Sequence, residues 1–176
     1  MGTGKSTVAR LLARQVGWLH VDLDRRITDT TGHSIPEIFE GEGESAFRKL
    51  EYEELARTLG EAKSLGRHTI VSLGGGTTAQ PANLAVLERN GATLIWLHCP
   101  VEELLRRCAH ITNRPLFRDE ASFRALHAQR LPSYQLADFR MDSSGDPTQV
   151  VAEILRRGIV GTGGSEAHLV VEKPNS

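Results

Sequence analysis

Short apolar runs alternate along this chain with stretches of helical period, and that alternation predicts an α/β fold with a parallel sheet. Val8, Leu11, Leu12 and Val16 share one helical stripe, so 6–16 reads as an amphipathic helix stopped by Gly17. Residues 18–23 read as a short strand. Ser34-Ile35-Pro36-Glu37 has the spacing of a capping box for a short helix through Phe39, which Gly41 and Gly43 break. Residues 45–59 read as a helix closed by Gly60, and the β-branched run 69–73 as a buried strand. A helix over 81–89 ends at Asn90-Gly91, followed by a strand over 92–98 and a helix over 101–109. No clean period runs from 111 to about 121, which reads as a loop, and 122–131 returns to helix before Pro132. Residues 139–142 fit a short last strand, and Asp146 caps a helix with Pro147 in its first turn, running to about Arg157. The segment 161–176 opens on Gly161-Thr162-Gly163-Gly164 and reads as a disordered tail, with an edge strand over 168–171 as the weaker alternative.

Composition narrows the class more than the fold. The 176 residues suit one domain, 1–160, plus that tail. A net charge of −1 sets up no field that would draw nucleic acid. No apolar run approaches the roughly 20 residues of a membrane span, and no export signal opens the chain. The two cysteines, Cys99 and Cys108, follow apolar patterns outside any C-x-x-C pair and read as reduced buried thiols. The expectation is a monomeric cytoplasmic enzyme that binds neither nucleic acid nor membrane.

The sharpest chemical signal stands at the start. Gly4-Lys5-Ser6-Thr7 precedes the first helix, with Gly2 two residues earlier, as in the back half of the G-x-x-x-x-G-K-[ST] phosphate loop. Glycines let backbone N–H groups approach phosphate oxygens, and the helix N-terminus adds partial positive charge at the same point. Lys5 can then reach the β- and γ-phosphates of ATP, and the Ser6 hydroxyl can ligate Mg²⁺. The motif's first glycine falls two residues before Met1, and the strand that feeds such a loop has no counterpart here. The expectation drawn from that is a true start upstream of Met1.

Carboxylates and arginines extend the candidate site. Asp22 and Asp24 end the strand after the first helix, and the carboxyl ends of parallel strands face the ligand crevice. One can hold magnesium through water while the other orients, or takes a proton from, an attacking hydroxyl. Gly74-Gly75-Gly76 follows a buried strand and leaves backbone N–H groups open to a ligand. Arg48, Arg114 and Arg130 are candidates for gripping a carboxylate or a phosphoryl group, Arg114 from a loop able to close.

Taken in order, Gly4-Lys5-Ser6-Thr7, Asp22-Leu23-Asp24, Gly32-His33-Ser34-Ile35, Phe47-Arg48 with Glu51, Gly74-Gly75-Gly76, Arg114-Pro115-Leu116, and Arg130 with Pro132 and Tyr134 resemble the shikimate kinase family over about residues 1–157. The resemblance implies a three-layer P-loop kinase fold with a parallel sheet in the order 2-3-1-4-5, strand 1 being largely missing from this chain and leaving a gap at the sheet centre. It implies Mg²⁺-dependent transfer of a phosphoryl group from ATP to the 3-hydroxyl of shikimate, a step of chorismate and aromatic amino acid biosynthesis. Lys5, Asp24 and Arg114 would be catalytic. Asp24, Arg48, Gly75 and Arg130 would bind shikimate. Gly2, Gly4, Lys5, Ser6, Thr7, Arg107, Arg114 and Pro147 would bind ATP, with Arg107 and Pro147 on the adenine side. Ser6 would ligate the metal directly and Asp22 through water, and a lid would span about 110–122. Two alternatives stay open on the residues alone: another small-molecule kinase such as a gluconate kinase, and a kinase-like regulatory module that binds without turnover.

Overall fold

The alternation of apolar runs becomes five strands and eight helices among the residues described by a computed structural model, 4–108, 120–160 and 169–172. In chain order they are α1 (Lys5–Val16), β1 (Leu19–Asp22), α2 (Leu23–Thr31), α3 (Ile35–Gly41), α4 (Gly43–Ser64), β2 (Thr69–Ser72), α5 (Pro81–Arg89), β3 (Thr93–His98), α6 (Val101–Cys108), α7 (Glu120–Tyr134), β4 (Phe139–Asp142), α8 (Pro147–Arg156) and β5 (Leu169–Glu172). The strands form one sheet in the order β1-β2-β5-β3-β4, and every pairing is parallel.

Strand periodicity divides the core in two. Ile70, Ile95, Leu97 and Met141 point to the face covered by α1 and α8, where Val8, Leu12, Val150 and Ile154 are buried. Val71 and Leu94 point to the other face, against Leu23, Ile27, Ile38, Phe47, Leu55, Leu59 and Leu87 from α2, α3, α4 and α5. All four residues of β2 are buried, as a parallel strand covered on both faces requires. A smaller cluster of Cys99, Leu104 and Phe123 joins α6 to α7, and the Cys99 thiol is free.

Several expected boundaries shift. Asp24 lies not at the end of a strand but in the first turn of α2, whose N-cap Asp22 accepts a hydrogen bond from the Arg25 amide at 3.4 Å. Gly60 does not close α4, which continues through it to Ser64. Glycine costs a helix about 1 kcal/mol, and the buried Leu59 and Ala62 on either side outweigh it. Pro132 likewise sits inside α7, in the last turn, at the cost of its own N–H bond, and the buried Arg130 and Tyr134 on either side hold the turn in place.

The C-terminal segment is the largest correction. Residues 169–172, expected in a disordered tail or at a sheet edge, form the middle strand instead. The expected gap at the sheet centre is therefore filled. Leu169-Val170-Val171 has the apolar, β-branched character that an interior parallel strand favours. Residues 161–168 and 173–176 lie outside the described residues, as does most of the expected lid. Residues 120–122, expected within that lid, already belong to α7.

Candidate active site

One end of the candidate site is built where the first turn of α1 meets Asp22, the N-cap of α2. Gly4 caps α1 with φ 75°, a left-handed conformation that glycine adopts without strain. No side-chain hydrogen bond caps α1, and its first turn, which includes Thr7, holds no acidic residue, so its N–H groups suit an anion. The Lys5 side chain is buried, with Nζ 4.0 Å from Asp22 Oδ2. Ser6 Oγ donates to the same carboxylate oxygen at 2.7 Å. Pro147 belongs to this end too: its Cγ lies 3.8 Å from where a Cβ on Gly4 would stand.

His20, two residues before Asp22 on β1, was not singled out from the sequence. Its Nε2 lies 3.1 Å from Ser72 Oγ, tying β1 to β2 beside the phosphate loop. Burial pushes the imidazole pKa below its ordinary 6.5 and so favours the neutral ring, against the pull of the Asp22 carboxylate towards the charged one.

The second half of the site surrounds Gly74-Gly75-Gly76. A Cβ on Gly74 would stand 3.1 Å from Asp24 Oδ1 and 3.2 Å from Glu51 Oε1, so both carboxylates close on that backbone. A Cβ on Gly76 would stand 2.8 Å from Arg48 Nη2. Asp24, Arg48 and the glycines, read separately from the sequence, are thus brought together.

Glu51 ties this cluster. It is fully buried and accepts hydrogen bonds from Arg48 Nη1 at 2.9 Å, Thr77 Oγ1 at 2.6 Å and Asn83 Nδ2 at 3.4 Å. Burial raises its pKa above the usual 4.5 although Arg48 and Thr77 pull the other way, and the Asp24 carboxylate adds to the rise. Arg48 also donates to exposed Glu44, through Nε at 3.2 Å and Nη2 at 3.0 Å, and lies over the Phe47 ring at 5.1 Å. The sequence offered two signals for Glu51, its place beside Phe47-Arg48 in the family resemblance and its position three residues after Arg48 on the same helix.

Arg130 arrives from α7. It is buried, and Tyr134 one helical turn later donates its hydroxyl to the Gly75 carbonyl at 2.8 Å. That bond fixes α7 against the glycine backbone. Arg107 is engaged elsewhere: it donates to the Ser143 carbonyl at 3.0 Å, to the Ser144 carbonyl, and to Glu103 at 2.7 Å. It therefore holds the loop that leads to Pro147. Gly2 and Arg114 lie outside the described residues.

A sequence model described as Shikimate kinase matches residues 1–158. The chain belongs to the shikimate kinase family. A shikimate kinase of Synechococcus elongatus is 41% identical over 160 residues, covering 88% of this chain and 80% of that protein. One of Persephonella marina is 40% identical over 159 residues, covering 89% and 93%. Among solved structures, shikimate kinase from Acinetobacter baumannii in complex with shikimate aligns with a TM-score of 0.81 and 32% identity, covering 90% of this chain and 88% of that one. The Aquifex aeolicus shikimate kinase aligns with a TM-score of 0.76 and 33% identity, covering 90% and 91%. The α/β kinase fold of these shikimate kinases is the fold described above.

Proposed function

We propose that this chain transfers the γ-phosphoryl group of ATP to the 3-hydroxyl of shikimate, giving shikimate 3-phosphate and ADP, a step of chorismate and aromatic amino acid biosynthesis. One observation carries the reading: Asp24 and Arg48 close on the glycine backbone after β2, while Lys5 and Ser6 meet Asp22 at the end of the neighbouring strand. A carboxylated acceptor held at the first group faces a phosphate chain held at the second.

Each residue then has a part. Lys5 and the first amides of α1 take the β- and γ-phosphates. Arg48 and Arg130 grip the acceptor carboxylate through charge-assisted hydrogen bonds. Gly75 presents backbone beside it. Asp24 orients the acceptor hydroxyl and takes its proton as the new O–P bond forms and the bond from the γ-phosphorus to the bridging oxygen of ADP breaks. Arg114, from a closing lid, meets the phosphoryl group in transfer, and Gly2, Thr7, Arg107 and Pro147 complete the ATP side. The buried Glu51 holds Arg48 in place and is a positioning residue.

The oxygen donors Ser6 Oγ and Asp22 Oδ2, 2.7 Å apart, suit a hard cation that keeps several waters. They would hold Mg²⁺, Ser6 directly and Asp22 through water, and the bound ion supplies neutralising charge to the phosphates. We read β1, β2, β3 and β4 as strands 2, 3, 4 and 5 of the family's order, and the protein as a cytoplasmic monomer. Among the described residues, no helix is long and apolar enough to cross a membrane.

The test is ADP release measured with and without Mg²⁺ and with shikimate or gluconate as acceptor. Magnesium-dependent release that rises with shikimate alone is expected. Release that ignores shikimate, or follows gluconate equally, would overturn the assignment.

A further inference from the structure

Helix α4 carries a second buried carboxylate one turn beyond Glu51, and it serves a different neighbour. Glu54 is 5% exposed. Its Oε2 accepts from Arg26 Nε of α2 at 3.0 Å and from Arg57 Nε at 3.1 Å, and its Oε1 accepts from Arg57 Nη2. Arg26 Nη2 continues to Glu61 Oε1 at 2.7 Å, and Arg57 Nη2 reaches Thr30 Oγ1 of α2 at 3.1 Å. Two arginines thus meet two carboxylates. Burial opposes the Glu54 charge, yet the hydrogen bonds from Arg57 and Arg26 hold its carboxyl below the usual 4.5, so it stays ionised.

The helix held in this way is the one that presents Asp24. Helix α2 has nine residues and buries two apolar side chains, Leu23 and Ile27. A helix this short does not persist on propensity. Apolar contact is non-directional and lets a helix slide or roll, whereas charge-assisted hydrogen bonds fix its place. Arg26 stands three residues after Leu23, and Thr30 one turn beyond Arg26, so the polar contacts run along the same side of α2 as the apolar ones. There is also a repulsion to offset. Asp24 Oδ1 and Glu51 Oε1 lie 3.1 Å and 3.2 Å from the one point where a Cβ on Gly74 would stand, so α2 and α4 bring two carboxylates to the same backbone. Arg26, two residues after Asp24, and Glu54, three after Glu51, set an attractive pair beside them.

We propose that Arg26 and Glu54 are a positioning pair for phosphoryl transfer: their ion pair holds α2 on α4, so that Asp24 stays aligned with the acceptor hydroxyl while Arg48, on the same α4, grips the acceptor carboxylate. The spacing between the two grips is then set one turn away from the reacting groups.

This inference rests on shikimate phosphorylation as the reaction, and the native chain separates the two. No shikimate-dependent ADP release by the native chain would remove that reaction. Where the native chain turns over, Arg26→Met tests the pair, since methionine keeps most of the apolar stem and removes the charge. Kinetics are measured below the melting transition of each variant. The expected result is a kcat lower by about 10- to 100-fold, as misplacement of a reacting group by up to about 1 Å produces, with the KM for ATP unchanged. Loss of any ion pair could lower Tm, so the deciding readout is coupling to Asp24. In the Asp24→Asn background, Arg26→Met should lower kcat by less than about twofold, because the group it aligns no longer takes the proton. Glu54→Gln keeps the side-chain shape, removes the charge and should show the same pattern. A folded Arg26→Met or Glu54→Gln protein with native kcat, or losses that multiply with that of Asp24→Asn, would overturn the proposal.

Discussion

Gly76→Ala separates acceptor binding from stability. The added Cβ would stand 2.8 Å from Arg48 Nη2 and 3.1 Å from Nη1. Ordinary contact begins at 3.4 Å, so the guanidinium must withdraw by about 0.6 Å or rotate away. What yields is the end of a long side chain, and Gly76 lies outside the left-handed region, so the backbone is not strained. Stability should change by less than about 1 kcal/mol, since alanine also removes some freedom from the unfolded chain. Acceptor binding should suffer far more. A charge-assisted hydrogen bond contributes about 1.5–3 kcal/mol, and each 1.36 kcal/mol is a factor of about ten. Steady-state kinetics should give a KM for shikimate raised about 10- to 100-fold, with the KM for ATP and the Tm nearly unchanged. An unchanged shikimate KM, or equal losses for both substrates, would refute the placement of Arg48 as the acceptor clamp.

Asp24→Asn should lower kcat by about 10²- to 10⁴-fold with Tm retained, as loss of a positioned proton acceptor does; steady-state turnover and a melting curve together check it. Tyr134→Phe leaves the Gly75 carbonyl without its 2.8 Å donor, at a cost of about 1–3 kcal/mol, and should lower Tm by several degrees while raising the shikimate KM. Glu51 supplies the pH test. Its folded pKa is raised above 4.5, so its contribution to stability is fully present below that value and is lost as pH rises through the folded pKa. The Tm of the native chain measured against Glu51→Gln should therefore fall as pH increases from about 4 to 8, and a difference that grows with pH would contradict the burial argument.

Local rules read much of the fold. Pro81 at the start of α5 and Asn90-Gly91 at its end bracket a helix without tertiary help. Ser34 and Glu37 form the capping box that their spacing announced. The misses come from forces outside the local window. Helix α2 is polar except for Leu23 and Ile27, one turn apart, and its start is hidden because its cap, Asp22, is also the last residue of a strand. Burial against the sheet, not helix propensity, decides it. Gly60 and Pro132 look like stops, yet each lies in a helix held by packing around it. The place of β5 was legible to no local rule: a hydrophobic run states that a segment can be a strand, and only the sheet's unpaired edges state where.

The site divides the same way. The place of Lys5 and Ser6 in the first turn of α1 was readable because Gly4-Lys5-Ser6-Thr7 is a contiguous motif that leads into a helix. Arg48 and Gly76 are 28 positions apart in the chain, and nothing in either neighbourhood announces that one will crowd the other. The link is Glu51, which helical spacing alone presents as an ordinary surface partner for Arg48. Such pairs contribute little when solvated. This one is buried, and its second oxygen accepts from Thr77, just beyond the glycines. A carboxylate removed from water and bonded from both sides cannot move without breaking several hydrogen bonds at once. The helix that carries Arg48 is thereby fixed to the glycine loop after β2, and a pair that looks peripheral in sequence sets the shape of this cluster.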